Sequence, residues 1–217
     1  MTHTIRPLVL ALALTLGAAL PASEAAAQAA AATAPDTSPS AVVQATTERV
    51  LGTLQSRREE FRASPEALQA FVTGELERVF DNVYSARLVL GRHGRGADEA
   101  ELRAFADALA GNLMRRYGTA LVDVDADVNI AVDGETALRG GRIMQVKTRV
   151  LRRSGSPVPV DYYLHQAGGE WKVFDVAVEG ISYVQTFRTQ FDEALRTRTL
   201  AQVTEDLRAG RLQPAGE

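Results

Sequence analysis

The sequence predicts an α+β fold, a four-stranded antiparallel sheet covered by helices. Three observations carry that expectation. After Ser64-Pro65 the apolar residues Leu68, Phe71, Val72, Leu76, Val79 and Phe80 fall at i, i+3, i+4, i+8, i+11 and i+12, one stripe of a helix. The period then changes. From 122 to 132 every even position is apolar, while Asp123, Asp125, Asp127 and Asn129 fill odd ones, the alternation of a half-buried strand. Finally, the connections after that point are short and marked by glycine, which makes neighbouring strands antiparallel.

Taken in order, the chain starts with Arg6, a thirteen-residue apolar run from Leu8 to Leu20, and small residues ending in Ala25-Ala26-Ala27. This reads as an export signal over residues 1–27, because the run is shorter than the ~20 residues of a membrane span. No cysteine follows it, which excludes lipid-anchored processing. Residues 28–39 are small and low in complexity and form a flexible lead. A single domain is expected over residues 40–212. Ser64 caps a helix whose first residue is Pro65. A short helix over 82–90 stops at Gly91, and Asp98 caps the next, whose stripe is Leu102, Phe105, Leu109, Leu113 and Tyr117. Asp133-Gly134 and Gly140-Gly141 bracket the connection from the first strand to a second, where Met144, Val146, Thr148 and Val150 oppose Gln145, Lys147 and Arg149. Strands over 158–166 and 170–178 and helices over 182–196 and 200–209 complete the chain.

Composition narrows the chemistry. The formal charge is −3, and removal of residues 1–27 takes one Arg and one Glu and leaves it there. Neither a nucleic-acid partner nor a polybasic membrane anchor fits that balance. With no cysteine the chain has no disulfide framework and no thiolate metal site.

Candidate catalytic groups are few. Asp123, Asp125 and Asp127 fail as a calcium loop, because the sixth and twelfth places hold Val128 and Gly134 where glycine and glutamate are needed. As strand residues they form a solvated face, paired with Lys147 and Arg149 of the next strand. His93 and His165 are isolated surface histidines, too few for a metal site. Ser182, like Ser64 and Thr199, is a helix cap; its context is not a nucleophile elbow. Asp175 is the one acid inside an apolar run, and an ion pair or backbone bond at the strand end explains it better than a perturbed catalytic carboxyl. No cofactor or metal is implied.

The stretch from Trp171 to Phe191 is the most informative in the chain. Trp171-Lys-Val-Phe-Asp-Val176, then Val178-Glu-Gly-Ile-Ser182, then an aromatic near the helix end resembles the MlaC family. Ala86-Arg-Leu-Val-Leu-Gly91, Phe105 and Tyr117 extend the resemblance to about residues 40–210. It departs at His93-Gly94-Arg95-Gly96, where the family has an aromatic and a Ser/Thr-Ala-Thr stretch. The family comprises periplasmic phospholipid carriers, also described as toluene-tolerance auxiliary proteins. The resemblance implies an apolar cavity for acyl chains between helices and sheet. It also implies two partners beside the phospholipid: an inner-membrane ABC transporter complex with a lipid-binding subunit, and an outer-membrane lipoprotein–porin complex. Helix phase and strand parity then nominate Leu76, Phe80, Leu109, Leu113, Tyr117, Val128, Met144, Val146, Val150, Tyr162 and Leu164 as lipid-binding residues, with Val124 and Ile130 on the same face. Two other readings stand beside it: an enzyme on a similar cone-shaped scaffold, with Asp175 or Tyr162 as acid or base, and a chaperone for apolar polypeptide segments.

Overall fold

The structure, a computed structural model, describes residues 37–123, 128–151 and 155–213, without the side chains of Tyr117, Thr119 and Ala120. The expected export signal, Val124, Asp125 and Asp127 lie outside the described residues. In chain order the elements are α1 (Pro39–Ser56), α2 (Arg58–Ala63), α3 (Pro65–Val79), α4 (Asn82–Leu90), a 3₁₀ turn (Gly91–Gly94), α5 (Glu99–Val122), β1 (Asn129–Leu138), β2 (Ile143–Leu151), β3 (Val158–Ala167), β4 (Glu170–Val178), β5 (Ile181–Ser182), α6 (Tyr183–Ala194) and α7 (Leu200–Arg208). None of the described helices is long and apolar enough to cross a membrane.

Short polar side chains start most of the helices. Ser38, Ser64, Asp81, Asp98, Ser182 and Thr199 each accept a hydrogen bond from the backbone N–H three residues on, at 2.8–3.2 Å. Each satisfies a donor that the first helical turn leaves unpaired. At α5 and α7 the bond is reciprocated, with Glu101 and Gln202 reaching back to the cap residue. Pro39 and Pro65 sit at first helical positions.

The sheet is an antiparallel meander in the order β1-β2-β3-β4-β5. It differs from the expected sheet in three ways. The first strand does not begin at Val122, which ends α5 and is buried against Leu54, Phe61 and Leu68. The even-position alternation runs across the helix end, where the two periods agree for a few residues. Asp123 is therefore an exposed residue at the helix end, 3.5 Å from Arg62, and not a strand partner of Lys147 or Arg149. Arg149 instead pairs with Asp133 at 2.7 Å. Second, Asp133-Gly134 is no turn. The register shifts between Val132 and Gly134, so Asp133 is an extra residue in β1, and Gly134 takes φ 145° to absorb it. Third, there is a fifth strand: Ala177 pairs with Ser182 and Val178 with Ile181, closing part of the outer edge of β4.

One face of the sheet packs under α1 and α3, with Val146, Leu164 and Val173 buried beside Val43 and Val79. Thr148 is buried there too, and its hydroxyl donates to the Val160 carbonyl at 2.7 Å. β4 is apolar on both faces because a second irregularity, between Tyr163 and Leu164 in the register, makes Phe174 an extra residue. Phe174 meets His165 of β3 and Tyr84 of α4, so helices cover that side as well.

Candidate functional site

A domain of this size commonly has one contiguous core. Here most of the buried apolar side chains among the described residues fall into three clusters. One joins α4, α5, α6 and α7 through Leu90, Phe105, Phe191 and Leu207. Another joins the sheet to α1 and α3. A third gathers Leu54, Phe61, Leu68 and Val122. Two apolar cavities lie where the clusters meet.

The larger cavity, about 380 Å³, is lined by residues of α3, α4, α5, α6 and β4. α5 shapes it. Phe105, Leu109 and Leu113 form ridges four residues apart, and beside them Ala106, Ala110 and Gly118 carry too little side chain to fill the hollow. The smaller, about 280 Å³, lies between α1, α3 and the sheet and is lined by Val43, Leu54, Phe71, Tyr162 and Val173. Val72, Leu76, Phe80 and Leu121 line both, so a single wall divides them.

The outer edge of β4 is paired at two places, by Phe80 at Val173 and by β5 at Ala177 and Val178. Between those points the bulged segment Phe174-Asp175-Val176 forms part of the larger cavity's wall. Ser85 of α4 donates its hydroxyl to the Phe174 carbonyl there, at 2.8 Å. The Asp175 carboxylate accepts from the Ser182 hydroxyl at 2.5 Å and from the Val184 N–H at 3.0 Å. It fixes the start of α6 to β4. Tyr162 is half-buried over the smaller cavity; loss of solvation there pushes its phenol pKa up, and a hydrogen bond with Thr47 offsets part of that.

Of the side chains that helix phase and strand parity nominate, Leu76, Phe80, Leu109 and Leu113 line the larger cavity and Leu76, Phe80 and Tyr162 the smaller. Val146 and Leu164, both 0% exposed, pack in the sheet core and reach neither cavity. Met144, Val150 and Val128 are half-buried and line neither, and Val128 precedes β1. The Tyr117 side chain and Val124 are outside the described residues. Parity found the covered face but not where that face is hollow. The alanines at 106 and 110, four apart beside the apolar stripe, were the legible sign of space.

The two histidines are not surface residues. His93 lies 2.9 Å from Asp192 and His165 3.0 Å from Asp81, and their side chains are 20% and 17% exposed. His165 also stacks on Tyr84 with ring centroids 4.3 Å apart. Each histidine completes a local pair, and no cluster of three or more potential metal ligands occurs among the described residues. Larger hollows exist among the described residues. One of about 620 Å³ lies between α2, α3 and α5, where Arg62, Arg115 and Asp123 stand beside Phe61, Leu68 and Val122. Another of about 550 Å³ runs along α6, but Arg92, Arg188, Asp192 and Arg196 line it and it suits no apolar guest.

Comparison with known proteins points the same way. Residues 44–209 match the model of the MlaC protein family. A toluene tolerance protein of Pseudomonas putida is 33% identical over 156 residues, covering 71% of this chain and 72% of that one. The intermembrane phospholipid transport system binding protein MlaC of Haemophilus influenzae is 20% identical over 147 residues, 66% of this chain and 68% of its own. In three dimensions the chain matches a phospholipid-binding protein from Ralstonia solanacearum, solved in complex with a phospholipid. The TM-score is 0.72 at 20% identity, covering 80% of this chain and 97% of the other. That likeness establishes the common fold.

Proposed function

The chain belongs to the MlaC family, and from that premise we propose that it is a periplasmic carrier that binds a phospholipid by its acyl chains and moves it between the outer and inner membranes. The observation that carries the reading is the pair of apolar cavities divided by Val72, Leu76, Phe80 and Leu121. Two hollows on one partition suit a ligand with two tails.

Energetics explains why such a carrier encloses the tails. Exposing an acyl chain to water costs roughly 0.8 kcal/mol per CH₂, so two ordinary chains of about 30 methylenes in all would cost on the order of 20–25 kcal/mol. An apolar wall that approximates the bilayer interior removes that cost without trapping the lipid, and exchange with a membrane stays nearly balanced. Exchange at each membrane needs a docking partner; an inner-membrane ABC transporter complex with a lipid-binding subunit and an outer-membrane lipoprotein–porin complex fit the family. Export by a signal over residues 1–27 fits the same route.

Carriage is favoured over catalysis by the state of the two candidate groups. Both oxygens of Asp175 are engaged by α6, and the Tyr162 phenol is displaced upward, away from the range of a base at neutral pH. The deciding experiment is native mass spectrometry of the protein purified from the periplasm, with phosphorus analysis of an organic extract. One phospholipid per chain is the expected result. A chain that arrives empty and takes no lipid from vesicles overturns the reading.

A further inference from the structure

Among the described residues four with polar side chains line the larger cavity, Asn82, Ser85, Asp175 and Tyr183. They differ in what is left for a ligand. The Ser85 hydroxyl lies 2.8 Å from the carbonyls of both Asp81 and Phe174, and its one proton is taken. Asp175 is held by Ser182 and Val184. The Asn82 amide and the Tyr183 hydroxyl have no hydrogen-bond partner among the described residues. They open α4 and α6, at the two ends of the unpaired stretch of β4.

Among the described residues no Lys, Arg or His lines this cavity, and Asp175 adds a carboxylate. A phosphodiester pressed against the wall would meet a negative charge and no cation, so it stays at the mouth in water. The ester carbonyls come next along the lipid, between phosphate and tails. They accept hydrogen bonds, and Asn82 offers two N–H donors and Tyr183 one O–H. Donors in an apolar wall favour an occupant that pairs them over one that leaves them bare.

Resting on the carrier reading, we infer that Asn82 and Tyr183 donate to the ester carbonyls of the bound glycerolipid, so that the site recognises the ester linkage. A glycerolipid with ester-linked chains is then the preferred cargo over one with ether-linked chains of the same length.

The test is competition between ester-linked and ether-linked phosphatidylcholine with matched tails, offered in mixed vesicles and read by native mass spectrometry. The wild type should take the ester lipid in preference by about five-fold for each donor, the worth of an ordinary hydrogen bond. Asn82→Ala and Tyr183→Phe should each lower the preference, and the double variant should abolish it, the readout being the ratio of ester to ether lipid bound and not the total uptake. Uptake of either lipid, with a cooperative melting transition, reports that the variant is folded. Tyr183→Phe keeps the ring beside Phe187, 5.9 Å between centroids, and carries the test alone if the other variant fails to fold. Equal uptake by the wild type, or a preference that survives both substitutions, overturns the inference. Uptake of neither lipid by the wild type overturns the carrier reading, and this inference with it.

Discussion

The Asp175 carboxylate of β4 lies 3.0 Å from the backbone nitrogen of Val184 in the first turn of α6. Its other oxygen takes the hydroxyl of Ser182, which is itself the cap of that helix. One side chain thus joins the bulged strand to the helix that closes the larger cavity. Asp175→Ala strips Val184 of its acceptor in a buried setting and should cost about 1–3 kcal/mol. Asp175→Asn keeps an acceptor oxygen and should cost less. Urea denaturation measures both. A folded Asp175→Asn protein should still purify with lipid; one that keeps its lipid but loses a chemical turnover would favour the enzyme reading.

Helix starts were legible because they depend on one side chain and its neighbours. Ser64-Pro65, Asp98, Ser182 and Thr199 cap where the sequence suggests. The strands were less legible. The alternation that ends in β1 begins inside α5, and Asp133-Gly134, a common turn pair, sits in a bulge. A bulge adds one residue and reverses parity beyond it, so β4 could not be assigned a face from its pattern. The cavities were hardest. Leu109 and Leu113 face a hollow while Val146 and Leu164 face packed atoms, and these four look alike in sequence. A void is set by what neighbouring elements fail to fill, which no single segment records.

Gly91 ends α4 at φ 53° and ψ −120°, a conformation that side-chain-bearing residues avoid. A Cβ built there would lie 3.1 Å from Nε of Arg188, so Gly91→Ala combines backbone strain with displacement of a guanidinium from α6. The expected loss is about 1–3 kcal/mol. A domain of this size should then melt roughly 2–4 °C lower for each kcal/mol lost. An unchanged melting point would mean that the turn relaxes without cost.

Alkali should destabilise the fold through its tyrosines. Burial raises the pKa of Tyr162, and burial with nearby Asp161 and Asp175 raises that of Tyr163. The folded chain holds these protons more tightly than the unfolded one. The resulting stabilisation is complete below the ordinary value of 10.0 and is lost as pH rises through the raised folded values. Urea midpoints from about pH 8 to about pH 11 should therefore fall at the alkaline end. Tyr162→Phe should flatten part of that fall and cost about 0.5–1.5 kcal/mol at neutral pH for the lost Thr47 bond.

At the acidic end Asp192 acts in the opposite sense. A hydrogen bond from His93, another from Arg196 and the charge of Arg92 hold its carboxyl below the usual value of 3.8. The stabilisation it brings is present above that value and disappears as pH falls through the lowered one. Asp192→Asn should therefore narrow the difference in urea midpoint between pH 5 and pH 3, a window set by the ordinary carboxyl value of about 3.9. An identical acid limb in the variant would show that the cluster contributes nothing to acid stability.

Ala108 and Ala110 are two residues apart on α5 and face different surroundings. Ala108 is 5% exposed within the α4–α7 cluster, whereas Ala110 borders the larger cavity. A tryptophan at each position therefore has a different cost. Ala108→Trp must force packed side chains apart and should destabilise by about 1–3 kcal/mol or more. Ala110→Trp has empty volume in front of it, so its indole can occupy the hollow with little strain and should leave the melting temperature near that of the wild type. It should also displace the guest, lowering lipid occupancy in native mass spectra by at least about ten-fold, the factor that 1.4 kcal/mol of lost binding produces. The pair separates two ways of losing lipid, collapse of the fold and filling of the site. If Ala110→Trp folds normally and still carries a full complement of lipid, the acyl chains do not lie against α5, and the smaller cavity beneath α1 becomes the place to look.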